Sequence, residues 1–141
     1  MSIGDAPKPN NTGPEQKEKI TFKVLYAEDD DYLREATQAW LERWGYKVVA
    51  VENGKNLFNE LATGKFDIII TDNNMPPGIT GLQVLDTLRT KGNNISVIVL
   101  TSDTIKEKVN NLGGIFLDKN TQMKDLHTVI KEVLEETDKI E

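Results

Sequence analysis

The chain has 141 residues and no cysteine, and Asp+Glu 23 against Lys+Arg 17 leave a formal net charge of −6. That length suits one domain whose core needs neither disulfides nor a structural metal, and the missing cysteines exclude a disulfide scaffold, a Cys-ligated zinc site and a thiol nucleophile. The acidic balance argues against nucleic acid as a main partner, while no apolar run approaches the ~18 residues of a membrane span and no signal peptide opens the chain.

Residues 1–19 hold Pro7, Pro9 and Pro14 with Asn10, Asn11 and Gly13, and almost no bulky apolar side chain. Such a composition cannot bury enough surface to order itself, so a flexible tail is expected. Asp5, Glu15 and Glu18 cancel Lys8, Lys17 and Lys19, so the whole −6 falls on the remainder. Four of those charges form one run, Glu28-Asp29-Asp30-Asp31. A single domain is expected over 20–138.

Lys23–Ala27 is the first apolar run, and Val24-Leu25-Tyr26-Ala27 is apolar without alternation, as in a strand buried on both faces. Asp31 is expected to cap the helix that follows. Leu33, Ala36, Trp40 and Trp44 share one face of that helix, and Gly45 is its expected stop. Val48–Val51 is a second strand, closed by the turn Glu52-Asn53-Gly54. Leu57, Phe58, Leu61 and Ala62 mark a second helix. Asp67–Thr71 is a third strand, and Leu82, Leu85 and Leu88 mark a third helix. Ile95–Leu100 follows, then a short fourth helix on Ile105, Val109 and Leu112 that stops at Gly113-Gly114. Ile115–Leu117 and a fifth helix on Met123, Leu126, Ile130, Val133 and Leu134 complete the pattern. Five strand–helix units predict an α/β fold with a parallel sheet and right-handed crossovers. In such folds the chemistry lies beyond the C-terminal ends of the strands.

The residues placed there are Glu28 and Asp29 after the first run, Asp72 after the third, Thr101 and Ser102 after the fourth, and Asp118 and Lys119 after the fifth. Three carboxylates at one point need a counter-charge. Oxygen ligands of this kind suit Mg²⁺, and a carboxylate beside it can act as a nucleophile and form an aspartyl phosphate. Other polar residues have plainer readings. Asp30 and Asp31 are expected to serve capping or solubility, the Trp40/Trp44 pair to be core or helix surface, and His127, beside Leu126 on a helix, to be a structural or surface residue.

The segments KVLYAEDDDYLR, FDIIITDNNMPPGITGLQVL, VIVLTSD and GGIFLDK, in that order, resemble the response-regulator receiver domain of two-component signalling. The resemblance covers roughly residues 22–136. It implies a flavodoxin-like five-stranded sheet of order 2-1-3-4-5 with helices on both faces. It implies Mg²⁺, with Mn²⁺ as a substitute, held by Glu28, Asp29, Asp72 and the carbonyl of Asn74. Asp72 takes the place of the phosphoacceptor. Lys119 and Thr101 contact the phosphoryl group, and Thr101 with Phe116 forms the switch. Asn74, two residues after Asp72, and Asp103, two after Thr101, are expected to flank the path of a hydrolytic water.

The chain departs from the common pattern at four points. The segment from Asp72 to Gly81 is one residue longer, near Pro77-Gly78. The segment from Thr101 to Lys119 is about four residues shorter, so a trimmed fourth helix is expected. Asn120 replaces a common proline after the lysine, which removes the expectation of a cis peptide there. Phe116 lacks the hydroxyl of the usual tyrosine.

The expected function is that of a stand-alone cytoplasmic response regulator. It would receive a phosphoryl group on Asp72 from a sensor histidine kinase or a histidine phosphotransfer protein. It would signal to a downstream protein through the fourth helix, fifth strand and fifth helix, with neither membrane nor nucleic acid involved. It is not an enzyme on other substrates, although it would assist its own phosphorylation from small phosphodonors and its own dephosphorylation. Two alternatives remain open at this point. One is an aspartate-nucleophile phosphatase or phosphotransferase, faintly suggested by Asp72-Asn73-Asn74. The other is a degenerate receiver that only binds.

Overall fold

A computed structural model describes residues 20–140, with side chains through residue 136. The expected tail, 1–19, lies outside the described residues. Strands β1 (Lys23–Ala27), β2 (Lys47–Val51), β3 (Ile68–Asp72), β4 (Ser96–Thr101) and β5 (Ile115–Asp118) form one parallel sheet of order β2-β1-β3-β4-β5. The helices are α1 (Asp31–Arg43), α2 (Gly54–Thr63), α3 (Gly81–Thr90), α4 (Lys106–Asn111) and α5 (Met123–Ile140).

The unbroken apolar runs are explained by two cores. Val24, Tyr26, Ile68, Ile70 and Ile98 pack with Leu41 of α1 and with Leu126, Ile130 and Leu134 of α5. The residues between them, Leu25, Ala27, Ile69, Val97 and Val99, pack with Leu57 of α2, Val84, Leu85 and Leu88 of α3, and Val109 of α4. Successive strand residues point to opposite faces, so a sheet covered on both sides needs apolar residues at every position. Each fully buried Leu, Ile or Val contributes roughly 1.5–3 kcal/mol, and this repeated burial holds the strand ends in place.

Local chemistry sets the helix ends. Asp30, rather than the expected Asp31, caps α1: its carboxylate accepts from the Leu33 N–H at 2.9 Å. Asp31 is the first helical residue and pairs with Arg34 at 2.6 Å. The difference is one of register, since a side chain reaches the N–H three residues on, and Leu33 needs its partner at residue 30. Gly45 lies just past α1 with φ +103°, a conformation that a side chain disfavours, and ends the helix as expected. Asp67 falls before β3 instead of opening it, and accepts from the Lys23 N–H at 2.8 Å. Thr80 caps α3 in a reciprocal pair with Gln83.

The fourth helix is short, as expected, with six residues. Such a helix is not stable alone. Val109 anchors it in the core, and Arg89 of α3 holds its C-terminal end, donating to the carbonyls of Leu112 at 2.7 Å and Gly113 at 3.3 Å. Of the described X-Pro bonds, Pro76-Pro77 is cis; Lys119-Asn120 is not among the cis bonds, as expected from Asn120.

Candidate functional site

The sheet order puts β1 beside β3. From β1 the chain crosses outward to β2, and from β3 it crosses the other way to β4. The crevice at that reversal is where α/β sheets bind ligands. Glu28 and Asp29, just past β1, therefore meet Asp72 at the end of β3. Oxygens of the three carboxylates lie within 4.8 Å of one another. Lys119, just past β5, reaches over with Nζ 2.8 Å from Asp72 Oδ2 and 3.2 Å from Glu28 Oε1.

Burial makes this arrangement unusual. Glu28 is 1 % exposed and Asp72 4 %, whereas Asp29 faces solvent. Burial pushes the Glu28 carboxyl up to about 7, and the nearby Asp72 charge adds to this against the Asp30 N–H and Lys119. Burial alone would lower Lys119, but Asp72 and Glu28 outweigh it and hold the ammonium above its usual value. One lysine thus faces three carboxylates. The shortfall of positive charge, the all-oxygen donor set and the open side at Asp29 suit a hard divalent cation such as Mg²⁺.

Lining the same open cavity, about 370 Å³, are Glu28, Asp29, Asp72, Asn74, Thr101, Asp103 and Lys119. Asn74 is exposed, and its N–H points to Asp72 Oδ1 at 3.4 Å. Thr101 is buried, 2 % exposed. Its hydroxyl accepts from the Asp103 N–H at 3.1 Å, and its carbonyl accepts from the Lys119 N–H at 3.2 Å. Seven of the eight site residues expected from sequence are therefore together. Phe116 is the exception. It is half-buried on β5 opposite Val99 and packs into the core shared with α3 and α4, below the rim.

Gly81 explains how the β3–α3 loop stays tight. Its backbone lies against the Asp72 carbonyl, where a Cβ would collide with main chain. Two residues without a role from sequence also shape the site. Arg34 donates to the Glu28 carbonyl at 2.8 Å. Asn73 bridges to Asp103 at 2.8 Å. Neither carries a local sequence signal, because each partner is set by the fold.

A larger cavity, about 410 Å³, lies at the other end of the sheet, lined by Phe22, Trp44, Tyr46 and His127 among others. His127 stacks on Trp44, with ring centroids 4.1 Å apart and planes 5° from parallel, and meets Tyr46 edge-on. Burial, with Lys131 nearby, lowers the His127 pKa. These rings pack on one another, and no carboxylate cluster accompanies them among the described residues.

The family model for the response regulator receiver domain matches residues 24–131. The response regulator FleR of Pseudomonas aeruginosa is 39% identical over 83 residues, 59% of this chain and 17% of that protein. The transcriptional regulatory protein CseB of Streptomyces avermitilis is 37% identical over 79 residues, 56% of this chain and 33% of that protein. The chain thus spans a minor part of these curated relatives' length. Among solved structures, the chemotaxis response regulator CheY4 of Vibrio cholerae has a TM-score of 0.72 at 26% identity, covering 81% of this chain and 99% of that one. The response regulator TrrA of Thermotoga maritima, solved in complex with Mg²⁺ and BeF, has a TM-score of 0.72 at 25% identity, covering 79% and 98%. No helix among the described residues is long and apolar enough to cross a membrane. With the matched family model covering most of the chain, and the sheet order and rim already in agreement, the chain belongs to the response regulator receiver domain family.

Proposed function

We propose that this receiver domain is a phosphoacceptor, and that Asp72 takes its phosphoryl group from a phosphohistidine on a sensor histidine kinase or histidine phosphotransfer protein. The observation that carries this reading is the buried Asp72 carboxylate, within 4.8 Å of Glu28 and Asp29 and 2.8 Å from Lys119. In the step, an Asp72 carboxylate oxygen forms a bond to phosphorus. The bond from phosphorus to the donor nitrogen breaks, and its electron pair leaves with the imidazole.

Asp29, Asp72 and the Asn74 carbonyl would hold Mg²⁺, with Glu28 acting through water; the ion, when bound, supplies charge neutralisation on the phosphoryl oxygens. Lys119 stands ready to pair with a phosphoryl oxygen once the Asp72 carboxylate has become an acyl phosphate. Thr101 offers its hydroxyl to another. Hydrolysis ends the signal: a water oxygen bonds to phosphorus, the Asp72 carboxylate leaves, and Asn74 and Asp103 flank the water's path.

Phosphorylation changes the charge at one strand end. Movement of Thr101 toward it would bias the surface of α4, β5 and α5, with Phe116 responding from beneath, and so alter binding of a downstream protein. The domain is assigned to 20–138, and its place is the cytoplasm, where its kinase partners present their histidines.

Addition of beryllofluoride with Mg²⁺ tests this reading by NMR. The amide signals of Thr101, Asp103 and Lys119 are expected to shift together, and an unchanged spectrum would contradict it.

A further inference from the structure

Asn73 directly follows Asp72 and is buried, 7 % exposed. Both ends of its amide are engaged. Oδ1 accepts from the Leu82 N–H in the first turn of α3 at 2.9 Å, and Nδ2 donates to Asp103 Oδ2 at 2.8 Å. The Leu82 bond fixes which end is oxygen, because the reverse placement would oppose two donors. The amide donor is thereby directed at Asp103.

Asp103 is in turn held at three points. Asn73 holds its carboxylate, its N–H donates to Thr101 Oγ1 at 3.1 Å, and its carbonyl accepts from the Ile105 N–H at 3.0 Å. A hydroxyl has one hydrogen and two lone pairs. With the Asp103 N–H occupying a lone pair of Thr101, the hydroxyl hydrogen is left for a group entering the cavity that Thr101 lines. The chain of contacts runs from the acceptor's own loop, through Asn73 and Asp103, to the hydroxyl that meets the phosphoryl group.

We propose that Asn73 is a positioning residue for phosphoryl transfer to Asp72, holding the β4–α4 turn through Asp103 so that Thr101 presents its hydroxyl hydrogen to the phosphoryl oxygen. This rests on the phosphoacceptor reading above. With acetyl phosphate as donor, an Asp72 oxygen bonds to phosphorus, the bond from phosphorus to the acetate oxygen breaks, and acetate leaves with the electron pair. The Thr101 hydrogen stabilises the transferring group without being transferred.

The test measures initial phosphoryl uptake by the full chain from acetyl phosphate with saturating Mg²⁺. Asn73→Asp is nearly isosteric. It keeps an acceptor for Leu82 but sets two carboxylates face to face at Asp103. Its maximal rate should fall at least about tenfold, with the half-saturating donor concentration little changed. Asp103→Ala breaks the same bond from the other loop and should slow uptake comparably, which guards against a folding defect in the first variant. The double variant N73D/D103N reverses donor and acceptor at unchanged total charge, and should recover to within about threefold of wild type. Wild-type uptake in Asn73→Asp or in Asp103→Ala, or a double variant as slow as Asn73→Asp, overturns the inference alone. No uptake by the wild type removes the phosphoacceptor reading, and the inference with it.

Discussion

The two ends of the sheet treat burial in opposite ways. At the N-terminal end, Trp44, Tyr46 and His127 bury rings against one another, and burial favours the neutral form of both titratable rings, lowering the His127 pKa and raising that of Tyr46. At the C-terminal end, Glu28 and Asp72 are more deeply buried than those rings, yet they share one lysine. The first end gains stability from what it buries. The second holds like charges together, which costs stability that a bound cation would offset. Strain of this kind, set on a rigid frame, marks a site that does chemistry, and the contrast can be probed from both ends.

The largest expected effect is at the C-terminal end. Lys119→Ala should slow phosphoryl uptake by about a hundredfold or more, measured by intact mass against time. Without Mg²⁺ it should also lower stability, because Glu28 and Asp72 then face each other with no cation. At the opposite end, Trp44→Ala should cost about 3 kcal/mol in urea unfolding and leave the uptake rate within about twofold of wild type. A loss of uptake there would mean that the two ends are coupled.

The third effect is a pH dependence. The Glu28 carboxyl titrates near 4.5 when unfolded and is raised to about 7 in the folded, metal-free protein. The folded state therefore holds that proton more tightly. The stabilisation is fully present below the lower value and is lost as pH rises through about 7. Unfolding in EDTA should show a loss of about 2 kcal/mol between about pH 5 and about pH 8. Glu28→Gln should flatten that profile, and a slope that survives the substitution would place its origin elsewhere. The smallest effect belongs to a helix end outside both regions. Thr80→Ala removes the α3 cap and should cost about 1 kcal/mol, read by urea unfolding.

Much of this contrast is legible in the sequence. Ile68-Ile69-Ile70 and Val97-Ile98-Val99 lack alternation because both faces are covered, and that pattern, with a helix after each strand, points to the parallel sheet. Once strands are placed, Glu28, Asp72, Thr101 and Lys119 fall at one rim by position. The remainder depends on contacts between distant segments. Asn73 and Asp103 are thirty residues apart, and only the fold brings the β3–α3 and β4–α4 loops together. Arg89 reaches the end of α4 for the same reason. The cap of α1 shows a different limit: in a run of four acids, composition marks the helix start but not which carboxylate aligns with the Leu33 N–H.

The most direct measurement is intact mass after incubation with Mg²⁺ and acetyl phosphate, for the wild type and for Asp72→Asn. The expected result is one added phosphoryl group on the wild type, lost with EDTA, and none on Asp72→Asn. An unmodified wild type, or equal modification of Asp72→Asn, would contradict the assignment of Asp72 as the acceptor.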